Sequence, residues 1–104
     1  MRKHIVLLSV VLLTATAALY AHTPILLCWD NGDGTISCEG GFSDGSPAKG
    51  VEIRVEDPKG KVLLKGVLDK NNEFTFKKPE GKFTVIFDAG PGHVVKMESS
   101  KIKE

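Results

Sequence analysis

The feature that most constrains this chain is the rhythm of residues 24–98: apolar runs of five to eight residues, interrupted by turn signals every 8–12 residues. Val51-Glu52-Ile53-Arg54-Val55-Glu56 alternates apolar and charged residues, the mark of a strand with one buried and one wet face. Glu73-Phe74-Thr75-Phe76-Lys77 alternates too, and puts both phenylalanines on one side. Further strands are expected over 24–29, 35–42, 62–68, 83–87 and 93–98. Between them stand Asp30-Asn31-Gly32-Asp33-Gly34, Ser43-Asp44-Gly45-Ser46-Pro47, Asp57-Pro58-Lys59-Gly60, Asp69-Lys70-Asn71-Asn72, Pro79-Glu80-Gly81 and Ala89-Gly90-Pro91-Gly92, all rich in residues that set or tolerate turn dihedrals. No helical periodicity is sustained, and there is no internal repeat. The expected fold is all-β, a small seven-stranded antiparallel β-sandwich. Its core is expected from Val51, Ile53, Val55, Val62, Leu64, Phe74, Phe76, Phe83, Val85 and Phe87, with the polar tail 99–104 frayed.

The first 21 residues read differently. Met1-Arg2-Lys3-His4 is basic, residues 5–19 are apolar apart from Ser9, Thr14 and Thr16, and Ala21 ends the run with a small side chain. That is the layout of a secretory signal helix cleaved after Ala21. An uncleaved membrane anchor is the alternative, but the run falls short of the ~20 apolar residues a span requires. Leu27 before Cys28 argues against lipidation, which needs a small residue there. Cleavage leaves 83 of the 104 residues, the sandwich over 22–98 and the tail. With Arg2 and Lys3 gone, 12 basic residues face 13 acidic ones, without charge blocks. No nucleic-acid footprint and no polybasic membrane patch result, and the mature chain is expected to be periplasmic or secreted, without direct membrane insertion.

Two cysteines in an exported small domain point to a covalent staple. A turn centred on Asp33 sets Cys28 opposite Cys38, where non-hydrogen-bonded strand positions come within disulfide range. A thiolate metal pair is the alternative; the compartment favours the bridge, and the nine intervening residues fit neither a zinc nor a redox motif. Asn31-Gly32-Asp33-Gly34-Thr35-Ile36 looks like the middle of an EF-hand loop, but Trp29 and Gly40 would occupy its first and twelfth positions, so a hairpin turn is the better reading.

His22 carries the most distinctive chemistry. Cleavage after Ala21 gives it a free α-amine, and amine plus imidazole Nδ1 close a chelate ring. An α-amine with an ordinary value near 8 is deprotonated at little cost at neutral pH, and such nitrogen ligands suit copper, nickel and zinc. His93 is the other mature histidine, and Asp88 precedes the same turn. These three are the candidate metal ligands. Cleavage at Ala17 or Ala18 would remove the chelate. No nucleophile elbow, phosphate-cradling loop or paired-carboxylate site is present, so no catalytic residue is assigned. Copper redox chemistry at a terminal histidine is the one enzymatic alternative.

Three segments carry a family resemblance: Gly41-Phe42-Ser43-Asp44-Gly45-Ser46-Pro47-Ala48-Lys49-Gly50; Val55-Glu56-Asp57-Pro58-Lys59-Gly60-Lys61-Val62-Leu63 with Gly66, Asp69 and Phe74; and Phe87-Asp88-Ala89-Gly90-Pro91-Gly92-His93. Together they resemble the small exported carboxypeptidase regulatory-like proteins associated with energy-coupling-factor nickel and cobalt uptake systems. The middle segment is shared by carboxypeptidase regulatory-like and transthyretin-like sandwiches generally and implies fold alone. The flanking segments, and a histidine directly after the cleavage site, are more specific. The resemblance implies a non-catalytic periplasmic accessory protein that holds Ni²⁺ or Co²⁺ through His22 and His93 and passes it to, or regulates, a membrane transporter. The cysteines depart from that group's pattern and are expected to add stability. A metal-free interaction module is the alternative.

Overall fold

The computed structural model describes residues 23–104; the expected signal segment and His22 lie outside them. Seven strands run in order: β1 (Pro24–Asp30), β2 (Thr35–Phe42), β3 (Glu52–Glu56), β4 (Val62–Val67), β5 (Glu73–Lys77), β6 (Thr84–Asp88) and β7 (Val94–Glu98). They form two antiparallel sheets, β1-β2-β5 and β4-β3-β6-β7. The all-β expectation holds, strand by strand.

Period-2 alternation decides which side chains enter the core. Leu26, Ile36, Cys38 and Phe76 come from the first sheet, and Ile53, Val55, Val85 and Phe87 from the second, all buried. Phe83, Ala48 and Leu68 add to them from outside the strands, while Val51, Leu64 and Phe74 pack against this cluster half-buried. Val62 is the correction: it is 46% exposed. The register slips between Val55 and Glu56, so Leu64 faces Val55 but Val62 faces Glu56 on the outer side. A bulge of this kind adds one residue to one strand and inverts the alternation beyond it, which residue spacing alone does not reveal.

The turns share one device. Asp30, Asp57, Asp69 and Asp88 each end or follow a strand and accept a backbone N–H two residues on through Oδ1 (Gly32, Lys59, Asn71 and Gly90). These are Asx turns, the short-range bond that makes aspartate a turn residue. Asn72 adopts φ 62°. Its Oδ1 accepts the Ala48 N–H at 2.8 Å and its carbonyl accepts the Gly40 N–H at 2.9 Å, so one residue ties the 43–51 loop to β2.

The tail does not fray. Ser99–Lys101 forms one 3₁₀ turn, Ser99 N–H bonds the Phe83 carbonyl, and Lys103 pairs in parallel with Trp29 and accepts the Asp30 N–H at 2.9 Å. Ile102 packs against the core, which supplies the apolar anchor that the composition of the tail concealed.

Candidate metal centre

The strand directions sort the loops into two ends. β1 enters the sandwich and β7 begins at the same end, where the 43–51 loop, the β4–β5 turn and the β6–β7 turn also lie. The edge strands β1 and β7 lie next to each other, one from each sheet. Thr23 is therefore at the end, and on the side, where His93 stands before β7. Thr23 is fixed there: its N–H donates to Ser43 Oγ at 3.1 Å and its carbonyl accepts the Ser43 N–H at 2.8 Å. His22 precedes it directly in the chain.

The turn that carries His93 is closed by its own backbone. Ala89 N–H bonds the His93 carbonyl at 3.0 Å and His93 N–H bonds the Gly90 carbonyl at 2.9 Å. Gly90 and Gly92, at φ 107° and 79°, supply the left-handed dihedrals this path needs. His93 Nδ1 lies 3.2 Å from the Pro91 carbonyl. A proton on Nδ1 donated to that carbonyl would leave Nε2 for an external partner, the usual division of labour in a ligating histidine.

Asp88 is occupied otherwise. Its Oδ1 accepts the Gly90 N–H at 3.0 Å and its Oδ2 pairs with the Arg54 guanidinium at 2.9 Å. The Arg54 hydrogen bond, followed by that from Gly90, holds its carboxyl below the ordinary carboxylate range. Asp88 thus fixes the turn in front of His93, while its oxygens face Arg54 and the turn backbone. Among the described residues, no group of three or more His, Cys, Asp or Glu side chains converges as a metal cage.

Arg54 organises the outer face of the four-stranded sheet. The register lays out three rows across β4, β3, β6 and β7: Val67, Glu52, Asp88, Val94; then Lys65, Arg54, Ile86, Lys96; then Val62, Glu56, Thr84, Glu98. A basic row lies between two rows that carry acids. Arg54 bonds Glu52 at 2.7 Å, Glu56 at 2.9 Å and Asp88 at 2.9 Å, and Lys65 reaches Glu52 at 3.3 Å. Glu56 and then Asp88 raise the guanidinium's pKa further, and Arg54 and Lys65 lower that of Glu52. Ile86, although on this outer face, is 1% exposed; it lies between Arg54 and Lys96, whose aliphatic stems can cover it. The alternation over 51–56 already placed Glu52, Arg54 and Glu56 on one face. The contribution of Asp88 required the β3–β6 register.

The remaining candidates fall at or near the opposite end. Cys28 and Cys38 are directly opposed, with Cα atoms 4.0 Å apart, and form the expected disulfide. That bond belongs to an oxidising, extracytoplasmic environment, and among the described residues no helix is long and apolar enough to cross a membrane. The 31–36 segment is the β1–β2 hairpin turn. Asp33 Oδ1 accepts from the Thr35 N–H and hydroxyl, and Asn31 Nδ2 donates to Thr35 and to Ser37 Oγ. These polar groups hold the hairpin together.

No family model, no curated protein and no solved structure matches this chain.

Proposed function

We propose that the processed protein is a periplasmic accessory protein of nickel or cobalt uptake that holds one divalent ion through His22 and His93 and delivers it to, or regulates, a membrane transporter. The observation that carries this reading is topological: Thr23, the neighbour of His22, is tied to Ser43 at the end of the sandwich where His93 stands before β7. The α-amine and imidazole of His22 would supply two nitrogens and His93 a third, a donor set suited to Ni²⁺, Co²⁺ and Cu²⁺. Asp88 serves the site by fixing the β6–β7 turn through Gly90 while Arg54 neutralises it. Remaining coordination positions are left for water or for a ligand of the acceptor, which is what transfer requires. No reaction is catalysed.

Calorimetric titration of the processed protein with Ni²⁺, Co²⁺ and Cu²⁺ tests it, with His22→Ala and His93→Ala alongside. Near-stoichiometric binding that each substitution weakens at least tenfold is expected. Binding that neither changes would refute the site.

The metal-free alternative, an interaction module, is favoured by one observation: Ile25 and Leu27 on the edge strand β1 are 46% and 57% exposed. It predicts that partner capture is unchanged when both histidines are removed.

A further inference from the structure

The outer face of the three-stranded sheet carries a pattern that the metal site does not use. The register sets Ile25 beside Gly41, Leu27 beside Glu39 and Glu73, and Trp29 beside Ser37 and Thr75. β1 thus contributes a continuous apolar column, next to Gly41, which has no side chain to cover it. Alongside runs a pair of glutamates directly opposite each other, an arrangement that is destabilising in an antiparallel ladder.

The other sheet shows how this chain neutralises acids: Glu52, Glu56 and Asp88 all pair with Arg54. Glu39 and Glu73 have no ion-pair partner among the described residues. Two lysines border this face, Lys77 at its far end opposite Thr35 and Lys103 beside Trp29, and neither forms an ion pair with these glutamates. An apolar column, exposed at Ile25 and Leu27 and half-buried at Trp29, beside two carboxylates without an ion-pair partner has a definite complement: a segment with an apolar stripe flanked by lysine or arginine.

Geometry favours a helix as that segment. Adjacent strands lie about 4.8 Å apart, so the apolar column and the two glutamate columns span roughly 10 Å, the width of one α-helix. We propose that this face docks a cationic amphipathic helix of a partner protein, with apolar side chains on Ile25, Leu27 and Trp29 and basic ones on Glu39 and Glu73. An anionic lipid surface is disfavoured by the same carboxylates. A second copy offers no such helix among its described residues, whose one helix is the three-residue Ser99–Lys101 turn. The proposal is independent of the metal.

Trp29 is the only tryptophan of the chain, so its fluorescence reports this face directly. The probe is a synthetic Leu/Lys amphipathic helical peptide of about four turns, titrated into processed protein against a Leu/Glu peptide of equal length. A saturable blue shift with the Leu/Lys peptide is expected, at least tenfold weaker with the Leu/Glu peptide, in the Glu39→Gln/Glu73→Gln variant and in Leu27→Ser. Val67→Ser, on β4, should bind like wild type. The double glutamine variant should melt no lower than wild type, because removing the repulsion leaves the fold intact. Equal binding of both peptides, binding that survives the glutamine substitutions, an equal shift with anionic phospholipid vesicles, or self-association that buries Trp29 without peptide would each overturn the proposal.

Discussion

Reducing the Cys28–Cys38 bond should cost this domain a substantial share of its stability. The bond spans a sequence separation of 10. In the chain-entropy relation, closing a loop of that size removes about 9 cal/mol/K from the unfolded ensemble, or about 2.7 kcal/mol at 25 °C. A domain of this length shifts its melting temperature by roughly 4–8 °C per kcal/mol, so reduction should lower it by about 10–20 °C. The native side should change little, because the β1–β2 ladder runs through seven paired positions from Pro24↔Phe42 to Asp30↔Ile36 and does not depend on the sulfurs. Thermal melts followed by circular dichroism, with and without a phosphine reductant, measure the effect, and intact mass reports the bond's state. Cys28→Ala/Cys38→Ala separates the cross-link from packing, since Cys38 is fully buried. A reduced protein melting within about 3 °C of the oxidised one would refute the loop-closure estimate. An alanine variant far less stable than the reduced protein would assign the effect to packing.

Gly40→Ala should cost about 1–3 kcal/mol by overpacking, read as a lower urea midpoint, because its new Cβ would stand 2.7 Å from Leu68 Cδ1 and closer still to the Phe87 ring. Asn72→Ala should destabilise by about 1–3 kcal/mol, losing both a residue tolerant of φ 62° and the acceptor for the Ala48 N–H; Asn72→Gly should lose less in the same assay. The carboxyls of Asp30, Asp33, Glu52 and Asp88 are all held below their ordinary values. Their contribution is therefore complete above about pH 5 and is lost as pH falls through the ordinary and then the depressed values. Melting temperature should drop below about pH 5, and drop less steeply in Arg54→Met, which removes the guanidinium shared by Glu52 and Asp88. Truncation after Lys101 should lower the melting temperature and speed amide exchange at Asp30, whose N–H donates to the Lys103 carbonyl.

The fold was legible because its signals are local. Turn residues and alternation are properties of neighbours, and they located every strand to within a residue or two. The cysteine pairing was legible for the same reason, since a hairpin's turn sets its register. Val62 escaped because a bulge is decided by the partner strand. Leu26, Ile36 and Leu68 were missed from the core because their runs lack clean alternation. The tail was misread because Ile102 is a single apolar residue in a polar segment, and only the sandwich supplies its pocket. Around the candidate site, the Gly90-Pro91-Gly92 turn before His93 was visible, but the engagement of Asp88 by Arg54 was not. It joins residues 34 apart in sequence through the β3–β6 ladder.

The most direct test of the metal reading is residue-resolved NMR of the processed protein with substoichiometric Ni²⁺. The two histidines should sense one ion, so the amides of Thr23 and Ser43 and the ring signals of His93 should broaden together and first. His22→Ala should abolish the effect at His93 as well as at Thr23. Broadening at Thr23 that leaves His93 untouched, or no selective broadening at that end of the sandwich, would contradict a shared site.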